Sequence, residues 1–413
     1  MRFIYVIVLF FSSLLLADIG AFQLFTVGTA VYFIDFLFFF FLLCFGIVGI
    51  KTGMKFYGLN RSFVIFLGVL LFSILYGSLR YGFSAIGEGR YIYWIFFLAV
   101  PLYFYLAGFI RNLRDFDKIF KISYILIITN VLILLAVEIA YGGRFFLAPE
   151  NREFARLEDE RGLRYLGSEE SFHLGVGVIF LLIDQYINKR KRLWKTIAIL
   201  VLTGLILFTK NRTAIIGLFL SFVVVFALEG KAKLILKILA GGAISLGLAF
   251  LLFPSATQSV LEPIQKAFNI TQDETGSWRL LVQAVAIRQS LETPILGQGF
   301  GGYFEYYVEE LGGVVNYPPH SIYIYLFQKS GLVGLLSYLI GLGALIREST
   351  RLKKFTADSA TAEKYRLLFK VLLIAQIPYG FAYNFSTYLG FYIGMLIVLK
   401  NLVNKPALQP LPA

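Results

Sequence analysis

The chain has 413 residues, of which 58% are hydrophobic, 17% aromatic and only 15% charged, and its mean hydropathy is +0.75. A water-soluble fold of this length has too little interior to hide so much apolar surface, which excludes a soluble enzyme and a disordered chain. The single Cys44 and the two histidines, His173 and His320, exclude a disulfide framework and a His-rich metal centre, so the net charge of +13 must be placed before it is interpreted.

In chain order, apolar blocks occupy residues 3–17, 22–50, 62–79, 91–108, 119–141, 170–188, 196–208, 213–228, 234–253, 321–346, 367–383 and 388–400. Most are long enough to cross a ~30 Å hydrocarbon core as helices, whereas an outer-membrane barrel would show ~10-residue alternating strands. The expectation is an all-α polytopic membrane protein of about 12 transmembrane helices, with residues 1–413 as one integral membrane domain. The first block lacks a small-residue cleavage site and is read as a retained helix.

Twelve spans put both termini on one side. Of the 38 Lys and Arg, 23 fall on that side's loops and 12 on the opposite loops. The positive-inside rule makes the termini cytoplasmic. It also accounts for the net charge without nucleic acid. Two outer loops exceed what a turn requires: 142–169, with five arginines and six carboxylates, and 254–320, rich in glycine and tyrosine. Long loops of this kind more often carry function than structure.

Chemistry-bearing residues gather on the outer side. Phe208-Thr209-Lys210-Asn211-Arg212-Thr213-Ala214 forms a short turn between two spans. Lys210 is suited to snorkelling toward headgroups or to binding substrate. Arg212 opens the next helix, where its charge opposes the positive end of the dipole, a placement that makes sense if an anion lies nearby. Further on come Gly297-Gln-Gly299-Phe-Gly301-Gly302, then Tyr317-Pro318-Pro319-His320-Ser321, then Lys329-Ser330-Gly331. The glycine run is no dinucleotide fingerprint, because no βαβ unit surrounds it. His320 stands at the outer end of a span behind two prolines. It is either a satisfied interfacial histidine or a proton acceptor.

The order and spacing of these motifs over about residues 160–345 resemble the O-antigen ligase and O-antigen polymerase superfamily. The resemblance implies a metal-independent, cofactor-free, inverting glycosyltransferase of the bacterial inner membrane. Such an enzyme moves a glycan from an undecaprenyl-diphosphate carrier to a sugar hydroxyl at the periplasmic face. Its partners are that donor, a glycan or lipid A-core acceptor, and membrane lipids. The family's turn arginine matches Arg212, its loop arginine matches Arg279 in Gly276-Ser277-Trp278-Arg279, and its catalytic histidine matches His320. Loop 254–320 becomes the catalytic loop. Two departures touch the acceptor more than the reaction: Ser321 where asparagine is usual, and Lys329 where many members carry glutamate.

Arg-x10-Gly occurs twice, from Arg156 to Gly167 and from Arg288 to Gly299. The pattern resembles one found in polymerase members, with Arg288 binding substrate, or it is coincidence in a chain with 38 glycines. Arg161 and Arg164 either pair with Glu158, Asp159 and Glu160 on a solvated surface or bind sugar or phosphate.

The remaining candidates are plainer. Asp115-Phe-Asp117 has metal-site spacing but begins a span, where capping is expected. His173 is expected to pack at the membrane interface. Asp35, Glu138 and Asp184 would suit either a proton relay or interhelical hydrogen bonds. The competing function is a transporter or flippase of lipid-linked oligosaccharide, which would line a central cavity with cations from many spans. The arginines gather instead on the outer face.

Overall fold

A computed structural model describes residues 23–27, 29–52, 58–89, 93–140, 168–189, 193–208, 212–252, 254, 274–302, 306–308, 313–315, 319–383 and 388–404. It is a helical membrane bundle. Three helical stretches among these residues, Arg61–Tyr81, Ser171–Asn188 and Ile322–Thr356, are long and apolar enough to cross a bilayer.

Every apolar block from the third onward coincides with a helix; the first lies outside the described residues. The helices are α1 (Phe33–Lys51), α2 (Arg61–Tyr81), α3 (Phe83–Glu88), α4 (Tyr93–Leu106), α5 (Leu113–Ala140), α6 (Ser168–Asn188), α7 (Leu193–Phe208), α8 (Arg212–Leu228) and α9 (Ala232–Leu252). They continue with α10 (Glu274–Ser290), α11 (Ile322–Arg351), α12 (Lys353–Thr356), α13 (Ala360–Ala382) and α14 (Leu389–Asn404).

The second block departs from the expected helix over 22–50. Its first part is an antiparallel hairpin of β1 (Gln23–Val27) and β2 (Thr29–Tyr32), and the helix begins only at Phe33. Its Thr26, Val27, Thr29 and Val31 favour strand, and the block is longer than one crossing needs. A second small hairpin, β3 (Tyr306–Val308) with β4 (Gly313–Val315), lies within 254–320, as does α10. That segment is therefore partly ordered secondary structure.

The most enclosed elements are α13 and α14, buried on all sides over 364–373 and 389–399. α14 is nearly apolar all round over that stretch and so belongs in the interior, whereas α13 carries Lys364, Arg366 and Lys370 inward with it. In α14, Gly390 and Gly394 stand four residues apart. A Cβ at either would lie 2.4 Å from the Trp94 carbonyl oxygen or 2.6 Å from that of Leu98. This small-residue face lets α14 press directly on the backbone of α4.

The glycine run is also a packing device. Gly299 has φ 86°, and a Cβ on it would lie 2.7 Å from Cα of Gly77 in α2. Gly331 kinks α11 at φ 62°, where a Cβ would meet the Ile295 carbonyl oxygen at 2.2 Å. The freed backbone groups are satisfied by the run itself: the Gln298 and Gly299 amides donate to the carbonyls of Gln328 and Lys329 at 2.8 and 3.0 Å.

α8 and α13 run antiparallel. At one end, Glu229 just beyond α8 receives Arg366 at 2.9 Å and Lys370 at 2.7 Å from the first half of α13. At the other end, Gly217 of α8 lies against Pro378 near the close of α13. The charged end is consolidated by Lys364, which reaches Asp117 at 2.8 Å and Asp184 at 3.2 Å. Cations on one helix thus meet carboxylates from three others. Burying such charges is tolerable because each finds a partner. Asp184 is a member of this network and also accepts from Asn188 at 2.9 Å. The α5 cap is Asn112, whose side chain accepts the Arg114 and Asp115 amides at 2.9 Å each. Asp115 supports the cap as expected, accepting the Arg111 amide at 3.3 Å, whereas Asp117 is an ion-pair partner.

Candidate functional site

At the opposite end of the bundle the chain enters α11 through His320 and Ser321, and several elements hold this junction. The Ser321 hydroxyl donates to the Gly380 carbonyl at 3.2 Å, and the Ile322 amide donates to the Tyr383 carbonyl at 3.0 Å. Both acceptors lie at the C-terminal end of α13, whose last carbonyls lack helical partners. From the third side, the Gln283 amide of α10 donates to the His320 carbonyl at 3.1 Å and, more loosely, to that of Phe381 at 3.4 Å. His320 is therefore fixed by its own backbone and by the two residues that follow it, and it is partly buried.

Arg279 lies one turn before Gln283 on α10. Its guanidinium sits 5.5 Å from the centre of the Tyr383 ring, within cation–π range. Its buried Nε has no hydrogen-bond partner among the described residues. Burial, and after it the Arg279 charge, push the His320 imidazolium down from the usual value to about 4. The imidazole is consequently neutral at pH 7, with a cation close by. Neutral imidazole is the form that can accept a proton, and a guanidinium offers two parallel donors to an oxyanion.

Arg212 begins α8. It precedes Gly217 by five residues, as Tyr383 follows Pro378 by five, and the two helices are antiparallel neighbours. At about 1.5 Å per residue, the Arg212 backbone reaches the same depth as the His320 junction. Arg288 is exposed farther along α10. Lys210, Arg161 and Arg164 lie outside the described residues, as does the first Arg-x10-Gly pattern.

Both departures from the family pattern have structural work. Ser321 fastens the junction to α13, as above. Lys329 is fully buried, bonded to Glu88 of α3 at 2.9 Å and to the Gly302 carbonyl at 2.7 Å. Glu88 in turn accepts the Gly301 amide and the Tyr325 hydroxyl. This pair ties the glycine run to α3 and α11.

His173 packs, as expected of it, and what covers it is protein. Its Nδ1 is 3.1 Å from the Tyr392 hydroxyl, its ring meets Tyr388 at 4.6 Å, and its carbonyl accepts from Tyr124 at 2.7 Å. The apolar residues around it on α6 face neighbouring helices, so the histidine is carried inward with them. Gln283, Tyr383 and Glu88 were not singled out from sequence. The position of Gln283 four residues after Arg279 on one helix face was the available signal.

No curated protein matches the chain. Residues 196–339, which include Arg212, Arg279, Arg288 and His320, match the family model described as O-antigen ligase. Across that stretch the chain is similar to the O-antigen ligase and polymerase superfamily.

Proposed function

We propose that the protein is a membrane glycosyltransferase that moves a glycan from an undecaprenyl-diphosphate carrier to a sugar hydroxyl. His320 accepts the proton of the acceptor hydroxyl as its oxygen attacks the anomeric carbon. The bond from that carbon to the diphosphate oxygen breaks, and the carrier leaves with the electron pair. Attack opposite the leaving group inverts the anomeric configuration. Arg279 and Arg212 meet the charge developing on the diphosphate, and no covalent intermediate is needed because the donor is already activated. The site faces the periplasm, and both termini face the cytoplasm. Lys210, Arg161, Arg164 and Arg288 are secondary contacts to sugar or phosphate.

The observation that carries this reading is the backbone-fixed His320, held by Gln283 of the helix that carries Arg279 one turn earlier. The pairing also has a consequence for timing. An Arg279 neutralised by a bound diphosphate no longer depresses His320, so the base strengthens when donor arrives. The transporter reading gains less support, because the buried Lys329, Lys364 and Lys370 are engaged by carboxylates. The test is transfer by purified protein in detergent, supplied with lipid-linked glycan and acceptor. Product with the inverted linkage supports the enzyme; its absence with a properly folded protein rejects it.

A further inference from the structure

The charged end of the bundle contains a cavity of about 610 Å³ that this chemistry does not use. It opens between the start of α2, the last turns of α11 and the end of α14, and its walls include Asn60, Arg347, Glu348, Arg351 and Lys400. The carboxylate there is already occupied: Glu348 pairs with Lys400 and accepts from Asn60 at 3.4 Å. Lys400 also donates to the Gly58 carbonyl at 3.1 Å. Arg347 and Arg351 are left over. They stand one turn apart on α11, both exposed, and neither has an ion-pair partner among the described residues.

The end of a helix welcomes a cation, which accounts for one arginine. Two like charges at this spacing repel, so the second is costly unless an anion lies between them. Apart from Ser62 and Asn404, the rest of the wall is apolar. Ile340 is 60% exposed and Phe355 is 55% exposed, and Ile340 continues the exposed face of Val333, Leu336 and Leu339. That face belongs to a helix apolar enough to cross a bilayer. A free anion would leave Ile340 and Phe355 against water. An amphiphile would satisfy both halves of the cavity at once.

We propose that this cavity binds the headgroup of an anionic phospholipid from the adjacent leaflet. Arg347 and Arg351 grip the phosphodiester through their two-donor forks, and Ile340 and Phe355 line the path of the acyl chains. The site stands at the far end of the bundle from His320 and is independent of the glycosyltransferase reading.

The test uses the full-length protein, stripped of lipid in detergent. It is titrated with phosphatidylglycerol, with phosphatidylcholine of the same chains, and with inorganic phosphate, and bound lipid is counted by native mass spectrometry. Phosphatidylglycerol should bind about tenfold or more tighter than phosphatidylcholine, the scale expected of two cations facing an anionic lipid. The double variant Arg347→Gln/Arg351→Gln should lose that preference, while Lys233→Gln, an exposed charge outside the cavity, should retain it. Should the double variant not fold, Arg347→Lys/Arg351→Lys keeps the charge without the forks and should lower the preference about threefold. An unchanged preference in either double variant overturns the proposal. Inorganic phosphate displacing phosphatidylglycerol at equal concentration would also overturn it, by assigning the cavity to a soluble anion.

Discussion

Gln283 donates its side-chain amide to the main-chain carbonyl of His320 across 3.1 Å, joining α10 to the start of α11. The same helix carries Arg279 one turn earlier, so this bond fixes the spacing between the two groups proposed to do the chemistry. Gln283 is a positioning residue, acting through the backbone of His320. Gln283→Ala should lower kcat about 10–10²-fold, in line with misplacement of a reacting group by an ångström or less, while KM for the donor changes little. Steady-state kinetics in detergent separate the two, and a change in KM alone would assign Gln283 to binding.

The pH profile follows from the His320 environment. A base is active when unprotonated, so activity stands above its pKa and falls as pH drops through it. An unperturbed histidine would give an acid limb near ~6.5. Burial and Arg279 move it to about 4, so kcat/KM, which reports the free enzyme, should hold through pH 6 and fall only near 4. In the residual activity of Arg279→Gln the limb should shift upward. Rate measurements from pH 3.5 to 8, with unfolding followed in parallel, check this.

Much of the fold was legible in the sequence because a run of about 20 apolar residues carries its own instruction in a bilayer. The pairings among charges were not. Lys364 with Asp184 and Lys329 with Glu88 join residues far apart in the chain, and nothing local selects one carboxylate over another. For the site, Arg279 and His320 stood out through family resemblance and unusual placement. Gln283 did not, because a glutamine on a helix is common and its role arises only from the carbonyl it meets. The protein cover over His173 was not legible, because hydropathy indicates that a segment is buried but not whether lipid or protein covers it.

The Lys329–Glu88 pair makes a stability prediction. Lys329→Ala leaves the Glu88 carboxylate facing a buried gap, and removing one partner of a buried pair costs about 3–5 kcal/mol. Because Glu88 retains some exposure, the lower end is expected. Removing both charges together with Glu88→Gln/Lys329→Met should recover most of the loss. Thermal unfolding in detergent measures the three proteins, and a Lys329→Ala that is stable but inactive would give the lysine a chemical role instead.

Arg212 and Arg279 should depend on shape as well as charge. Alanine at either should remove most transfer activity with membrane insertion intact, and lysine should restore only part of it, because a point charge lacks the two-donor fork. Wild-type glycan profiles from Arg212→Ala would limit that residue to anchoring at the membrane edge.

The central claim is that His320 takes the proton of the attacking hydroxyl, and the most direct measurement separates donor binding from transfer in His320→Ala. Donor affinity, by titration with the lipid-linked diphosphate, should remain close to wild type because the arginines hold it. The single-turnover rate should fall about 10²–10⁴-fold, the usual contribution of a positioned general base. If the variant instead binds donor poorly and converts what it binds at the wild-type rate, His320 is a diphosphate ligand and the base lies elsewhere.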